Sequence, residues 1–267
     1  MSTSISPMTA LVTGASSGIG LEFSRQLAAM GHNIVLVSNQ AEALESTREE
    51  LVKTYPRQRF LSVFLDLTAP NAADILYEYC ESEGLEISIL VNNAGIFSFR
   101  TVLDTSPHAL NLYVDLHMRT VTQLCHRFGH AMSRRHCGYI LNMSSMSCWM
   151  PMPGIALYAA TKAYIRVFSR ALALELSDEG VSVMVACPGG IATDLFGLPP
   201  RLQRLGVQLG ALSTPQKFVQ GALRRMFKGR RQYVNGLLNH IAVCLVPRLP
   251  EWVAMNIKHR LLDRKGI

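Results

Sequence analysis

Between positions 140 and 162 the chain reads ILNMSSMSCWMPMPGIALYAATK, and three of its side chains suit proton transfer. Tyr158 and Lys162 are four residues apart, which on a helix sets a phenol and an ammonium one turn apart on the same face. Ser145 lies thirteen residues before Tyr158, at the end of a short apolar strand. The Met/Pro/Gly loop between them is long enough to fold the hydroxyl back against the phenol. A hydroxyl, a phenol and an ammonium converging at a strand end can polarise a substrate oxygen and exchange a proton with it. Ser144 reads as a structural neighbour.

A second group of residues is suited to holding phosphate. TGASSGIG (13–20) follows a short apolar strand at 10–13 and opens an amphipathic helix at 21–30, closed by Gly31. Gly14 permits a tight turn, while Gly18 and Gly20 remove Cβ atoms where backbone and helix approach a pyrophosphate. Ser16, Ser17 and Ile19 complete the loop, and the first-turn N–H groups add partial positive charge. The spacing is G-x3-G-x-G rather than G-x-G-x-x-G, and such a loop on its own also occurs in ordinary turns. Strand, glycine loop, helix and a second apolar strand (33–37) make the opening unit of a dinucleotide-binding fold.

Beyond that second strand stand Ser38, Asn39 and Gln40. A carboxylate there would grip the adenosine ribose of NAD, and an Arg would accept the 2′-phosphate of NADP. Neither is present. With no carboxylate to repel a 2′-phosphate, and with Ser38 and Asn39 able to donate to it, NADP(H) is favoured over NAD(H). A third strand (59–67) ends at Asp66 and Leu67, where Asp66 either accepts from an adenine amino group or caps a helix beginning near 69. A fourth ends at Asn92, Asn93, Ala94 and Gly95, a turn through which backbone can pass close to a ribose.

The remaining elements position these residues. Helices are expected at 41–55 and 71–83. A long one at 108–135 has Leu110, Val114, Met118, Val121, Leu124, Phe128 and Met132 at spacings of three and four. The helix bearing Tyr158 and Lys162 runs to Gly180, and VSVMVACPGG makes a sixth strand ending at Pro188. Alternation of strands and helices over 8–190 predicts right-handed crossovers and a Rossmann-type, doubly wound parallel sheet in a three-layer α/β arrangement. No Pro/Ser/Gly-rich linker divides residues 1–267, so one domain is expected. Residues 194–213 read as a mobile helical substrate lid and 214–267 as a helical C-terminal extension. The loop residues Met146, Cys148, Trp149, Met150 and Met152 are expected to wall an apolar substrate pocket.

The composition, 49% hydrophobic and 17% charged, provides a large core. The net charge of +7 suits an anionic partner or, equally, a solvated basic surface. Six cysteines without a C-x-x-C pair suggest buried free thiols in a reducing compartment, with neither zinc nor disulfides. MSTSISPMTA has no signal-peptide character, and no apolar run reaches membrane-spanning length. A cytoplasmic protein is expected. The tail sets a basic part (224–232), an apolar part (237–247) and a basic end (258–265) in sequence. It reads as peripheral membrane or lipid contact, or as a helix packed on the lid or a partner subunit. Without interleaved aromatics these cations do not suggest nucleic-acid binding.

Taken together, Thr13-Gly14-x3-Gly18-x-Gly20, Asn92-Asn93-Ala94-Gly95, Ser145, Tyr158-x3-Lys162 and Pro188-Gly189 resemble the classical short-chain dehydrogenase/reductase family over residues 8 to about 194. The resemblance implies a nicotinamide cofactor and reversible alcohol/ketone oxidoreduction. Tyr158 would then be the general acid/base, Ser145 would hold the substrate oxygen, and Lys162 would bind the nicotinamide ribose and lower the phenol's pKa. Pro188, Gly189, Ile191 and Thr193 would meet the carboxamide end. The family's fourth catalytic residue, an Asn holding a relay water, falls on His117. Three readings follow: His117 substitutes with altered pH dependence, the alignment is off by a turn, or the site is weakened. The expected substrate is a hydrophobic ketone or alcohol, 3-oxoacyl, sphingoid or steroid-like, and the family habit implies a homodimer or homotetramer. The alternative is a catalytically weak NADP(H)-binding sensor or scaffold.

Overall fold

The unbroken apolar runs become the strands of one sheet. The computed structural model describes residues 7–193, 195, 199–208, 212–248 and 250–261. Its strands are β1 (Thr9–Thr13), β2 (Asn33–Ser38), β3 (Phe60–Phe64), β4 (Ile87–Asn92), β5 (Gly138–Met143), β6 (Val181–Cys187) and β7 (Gln232–Val234). All pair in parallel, in the order β3-β2-β1-β4-β5-β6-β7. The helices between and after them are α1 (Gly18–Ala29), α2 (Ala41–Thr54), α3 (Ala72–Ser82), α4 (Pro107–Val114), α5 (Val121–Arg134), α6 (Ala156–Glu175), α7 (Pro200–Gln208), α8 (Pro215–Met226), α9 (Leu237–Leu245) and α10 (Glu251–Leu261).

Alternate residues of a strand face opposite sides, so a strand buried on both must be apolar throughout. Ala10 and Val12 of β1 pack with Phe23, Leu27 and Phe218 on one side. Leu11 packs with Leu76, Leu124 and Phe128 on the other. This is the expected three-layer Rossmann-type arrangement. The chain reverses its winding between β1 and β4, and the cleft at such a switch point is where open α/β sheets bind ligands.

Three expectations need correction. β3 stops at Phe64, so Asp66 and Leu67 lie in the following loop. Asp66 Oδ1 accepts from Thr68 N (2.9 Å) and Oγ1 (2.8 Å), closing a turn, and α3 begins only at Ala72. A seventh strand lies within the tail; three residues flanked by cations are too short to show a period. The long helix is interrupted by a π turn at Asp115–Thr120. That turn admits an extra residue and shifts the buried face, so Tyr113, Leu116 and His117 point inward while Val114 is exposed.

The expectations for residues 1–6, for lid positions 194, 196–198 and 209–211, and for the tail beyond 261 lie outside the described residues. Gly20 shows how tightly the first unit closes. A Cβ there would stand 2.0 Å from the Gly14 carbonyl oxygen and 2.5 Å from Asn93 Nδ2. Gly20→Ala should therefore cost about 1–3 kcal/mol and lower the melting temperature by several degrees. Calorimetry checks this, and an unchanged melt would contradict the close packing.

Candidate active site

The carboxyl ends of β1, β4, β5 and β6 open into a cleft of about 830 Å³. Of the residues expected to act catalytically or hold the cofactor, all line it except Gly20, Asn92 and His117. At its phosphate-sized end, Gly14 (φ +65°) and Gly18 (φ +54°) shape the loop. Ser17 begins α1 without a side-chain cap, and no acid stands in the first turn, so the helix N-terminus presents its N–H groups to the cleft. Ser38 is buried, its Oγ 2.8 Å from Ser16 Oγ and accepting from Gln40 N (3.2 Å), whereas Asn39 is exposed.

Gly20 serves the packing of α1 on Gly14 rather than the cleft itself. Asn92 points into the core, donating to Asn142 Oδ1 (2.8 Å). Its neighbour Asn93 lines the cleft instead, with Nδ2 donating to the carbonyls of Thr13 (2.9 Å) and Gly14 (3.3 Å). Two adjacent amides at a strand end face opposite ways, and sequence reasoning chose the wrong one.

At the other end, β5 delivers Ser145 and α6 delivers Tyr158 and Lys162. Ser145 caps a 3₁₀ turn at Met146–Trp149, its Oγ accepting from Ser147 N (3.1 Å). The same hydroxyl stands close enough to the Tyr158 phenol to favour its ionised form. Lys162 Nζ donates to the Met143 carbonyl (3.0 Å), and Ser144 Oγ donates to the Lys162 carbonyl (2.7 Å), tying helix to strand. Ser144 is thus structural, as expected. A Cβ on Gly95 would stand 3.1 Å from His117 Nε2, a tight contact, and 3.5 Å from Lys162 Nζ, an ordinary one.

Burial pushes the Tyr158 phenol up to about 12, and the Ser145 hydroxyl offsets only part of this. Burial likewise pushes the Lys162 ammonium down to about 8. The expected lowering of the phenol by Lys162 is therefore not produced by the protein's own groups. Nζ stands 5.6 Å from the phenol ring centroid, and desolvation governs the phenol.

His117 sits in this site, so the alignment is not displaced by a turn. Its Nε2 accepts from Ile96 N (3.1 Å), which puts the proton on Nδ1 for donation to Thr161 Oγ1 (3.0 Å). Thr161 Oγ1 in turn donates to the Tyr158 carbonyl (2.9 Å). The ring also meets Tyr113 and Tyr158 edge-on. Fully buried beside Lys162, its pKa is held well below the ordinary histidine value by desolvation first and the ammonium second. Both nitrogens are used, so the side chain staples the β4 loop to α6 as a neutral imidazole.

The apolar wall differs from expectation. Met146, Cys148, Trp149, Met150 and Met152 do not line the cleft. Trp149 lies under the Arg166 guanidinium (4.4 Å) and packs with Cys148 on the core. Ile96, Leu112, Leu116 and Leu195 line the cleft instead. The i,i+4 pair Leu112 and Leu116 was the signal available for them.

A family model described as short chain dehydrogenase matches residues 8–198. The chain belongs to this family. It is an oxidoreductase of the short-chain dehydrogenase type, working between CH–OH and carbonyl groups with a nucleotide cofactor. It is 34% identical over 244 residues to 17-beta-hydroxysteroid dehydrogenase type 3 of Mus musculus, covering 90% of this chain and 76% of that one. It is 28% identical over 257 residues to very-long-chain 3-oxoacyl-CoA reductase of Homo sapiens, covering 93% and 77%. Among solved structures, a short-chain dehydrogenase from Sphingobium yanoikuyae in complex with NADPH superposes with a TM-score of 0.78 at 26% identity, covering 96% and 95%.

The neutral His117 has a measurable consequence. Below about pH 6.5 the unfolded chain protonates this imidazole and the folded chain does not, so acidification removes up to about 1.4 kcal/mol of stability per pH unit. Urea unfolding at neutral and mildly acid pH should show this slope reduced in His117→Asn. An equal slope in the two proteins would contradict a buried neutral ring.

Proposed function

We propose that the protein is an NADP(H)-dependent reductase of a hydrophobic ketone, 3-oxoacyl, sphingoid or steroid-like, with Ser145, Tyr158 and Lys162 as its catalytic residues. The observation that carries this reading is one continuous cleft with an unclaimed helix N-terminus at one end and a phenol, hydroxyl and ammonium at the other. A dinucleotide fits that arrangement. The Gly14–Gly18 loop and first turn of α1 would hold its pyrophosphate, Asn39 and Asp66 its adenosine end, and Lys162, Ile191 and Thr193 its nicotinamide end. When bound, the cofactor supplies the hydride. In reduction, the Tyr158 phenol donates its proton to the carbonyl oxygen while the Ser145 hydroxyl hydrogen-bonds the same oxygen. Lys162 stabilises the phenolate left behind. A phenol pushed up to about 12 is held in the protonated form that donates in reduction.

Support for an apolar substrate comes from Ile96, Leu112, Leu116 and Leu195 in the cleft and from the substrates named in the two relatives. Support for NADP(H) comes from the lack of a carboxylate at positions 38–40 and from the NADPH-bound structural relative. The stacked pair Tyr164 and Phe168, with exposed Val167 and Leu174 on α6, suits pairing of two copies through this helix. The sensor alternative draws on His117, and Ser145, Tyr158 and Lys162 meeting in one cleft weigh against it.

Tyr158→Phe should lower ketone reduction by about 10²- to 10⁴-fold while NADPH binding, followed by fluorescence, persists. Full activity would overturn the assignment. Asn39→Asp should shift the cofactor preference towards NADH by about tenfold or more in kcat/KM, through repulsion of the 2′-phosphate. An unchanged ratio would place cofactor selection elsewhere.

A further inference from the structure

The positive charge of this chain is not spread evenly. Residues 195–250 contain nine Lys and Arg and no Asp or Glu. The rest of the chain holds the other 17 of its 26 cations against all 19 carboxylates, so the whole positive excess belongs to this stretch. All nine, Arg201, Arg204, Lys217, Arg224, Arg225, Lys228, Arg230, Arg231 and Arg248, are exposed. Among the described residues none of them forms an ion pair with a carboxylate.

The same stretch exposes its apolar side chains. No residue of α9 is buried, and Leu237, Ile241 and Leu245 recur at intervals of four, with Leu238 beside them. Their exposures are 77%, 48%, 59% and 70%, where a core-packed helix would show a buried stripe. On α7, Leu202 and Leu205 are about half exposed and alternate with Arg201 and Arg204. Both helices spring from the cleft rim. Asn235, just before α9, accepts from Gly189 N (2.8 Å) and donates to Ser213 Oγ (3.0 Å). Gln203 of α7 and the nearby Leu195 line the cleft directly.

We propose that α7 and α9, with the cations Arg201, Arg204 and Arg248, form a docking face for an anionic lipid bilayer. Leu237, Leu238, Ile241 and Leu245 enter the acyl boundary and the cations meet the headgroups. The cleft mouth lies beside this contact, so an apolar substrate can pass from bilayer to cleft; that last step alone rests on the function proposed above. Among the described residues no helix is long and apolar enough to cross a membrane, so the contact is interfacial. Charge decides against a second copy as the occupant. A two-fold interface would set this patch against itself, cation to cation, with no carboxylate in the stretch to compensate.

Cosedimentation of the full chain with vesicles tests this. Phosphatidylglycerol mixed with phosphatidylcholine should bind at least about tenfold more tightly than phosphatidylcholine alone, with the difference lost at high salt. Ile241→Glu with Leu245→Glu should lose about tenfold or more of that binding, with melting temperature and turnover of a soluble ketone unchanged. Arg201→Glu with Arg204→Glu should weaken binding to anionic vesicles only. Equal binding to both vesicle types, or undiminished binding by the Glu variants, overturns the proposal. So does a dimer in sedimentation equilibrium that Ile241→Glu dissociates, or preferential binding of a DNA duplex. Vesicle binding by a preparation that reduces no ketone would uphold the docking face while removing the proposed reaction.

Discussion

An ammonium taken out of water costs several kcal/mol unless polar groups replace its hydration, and Lys162 is only 4% exposed. Much of the catalytic end of the fold is arranged around it. The Met143 carbonyl accepts from its Nζ at the end of β5, and Ser144 fixes its backbone. No carboxylate pairs with it among the described residues, and its pKa falls to about 8. A lysine left underneutralised is poised for an anionic or strongly polar partner. The same burial holds the phenol one turn away in its protonated form.

The staple at His117 belongs to the same design. A ring with both nitrogens committed cannot also hold a water in the manner of the family's amide. It joins the β4 loop to α6 at the turn carrying Tyr158 and brings no extra charge beside Lys162. The π turn is what lets a residue at this point of a long helix face inward without turning the rest of α5 off the core. Rigidity here is bought with local irregularity.

Tyr158, Lys162 and Ser145 were legible because a four-residue helical spacing and a strand end determine where such side chains go. The six longer strands were legible because burial on both faces demands unbroken apolar runs. Asn92 was misassigned because two identical amides at a strand end carry no mark of which faces the cleft. The π turn was invisible because an extra residue in one turn barely disturbs a pattern of threes and fours. Trp149 and Cys148 looked like a pocket wall by composition, yet Trp149 lies under Arg166 and both pack on the core. The concentration of charge in 195–250 was readable at once, but its meaning needed the exposure of α9.

The central claim is that Tyr158 is the proton-transferring group and that Lys162 is positioned to act on it. The most direct measurement is the ionisation of that phenol, read from the ultraviolet difference between the native protein and Tyr158→Phe across a pH titration, with and without NADP⁺. The account predicts a phenol near 12 without the nucleotide, falling by several units when the nucleotide's positive charge is bound beside it. A phenol that titrates at the same pH in both conditions would contradict it.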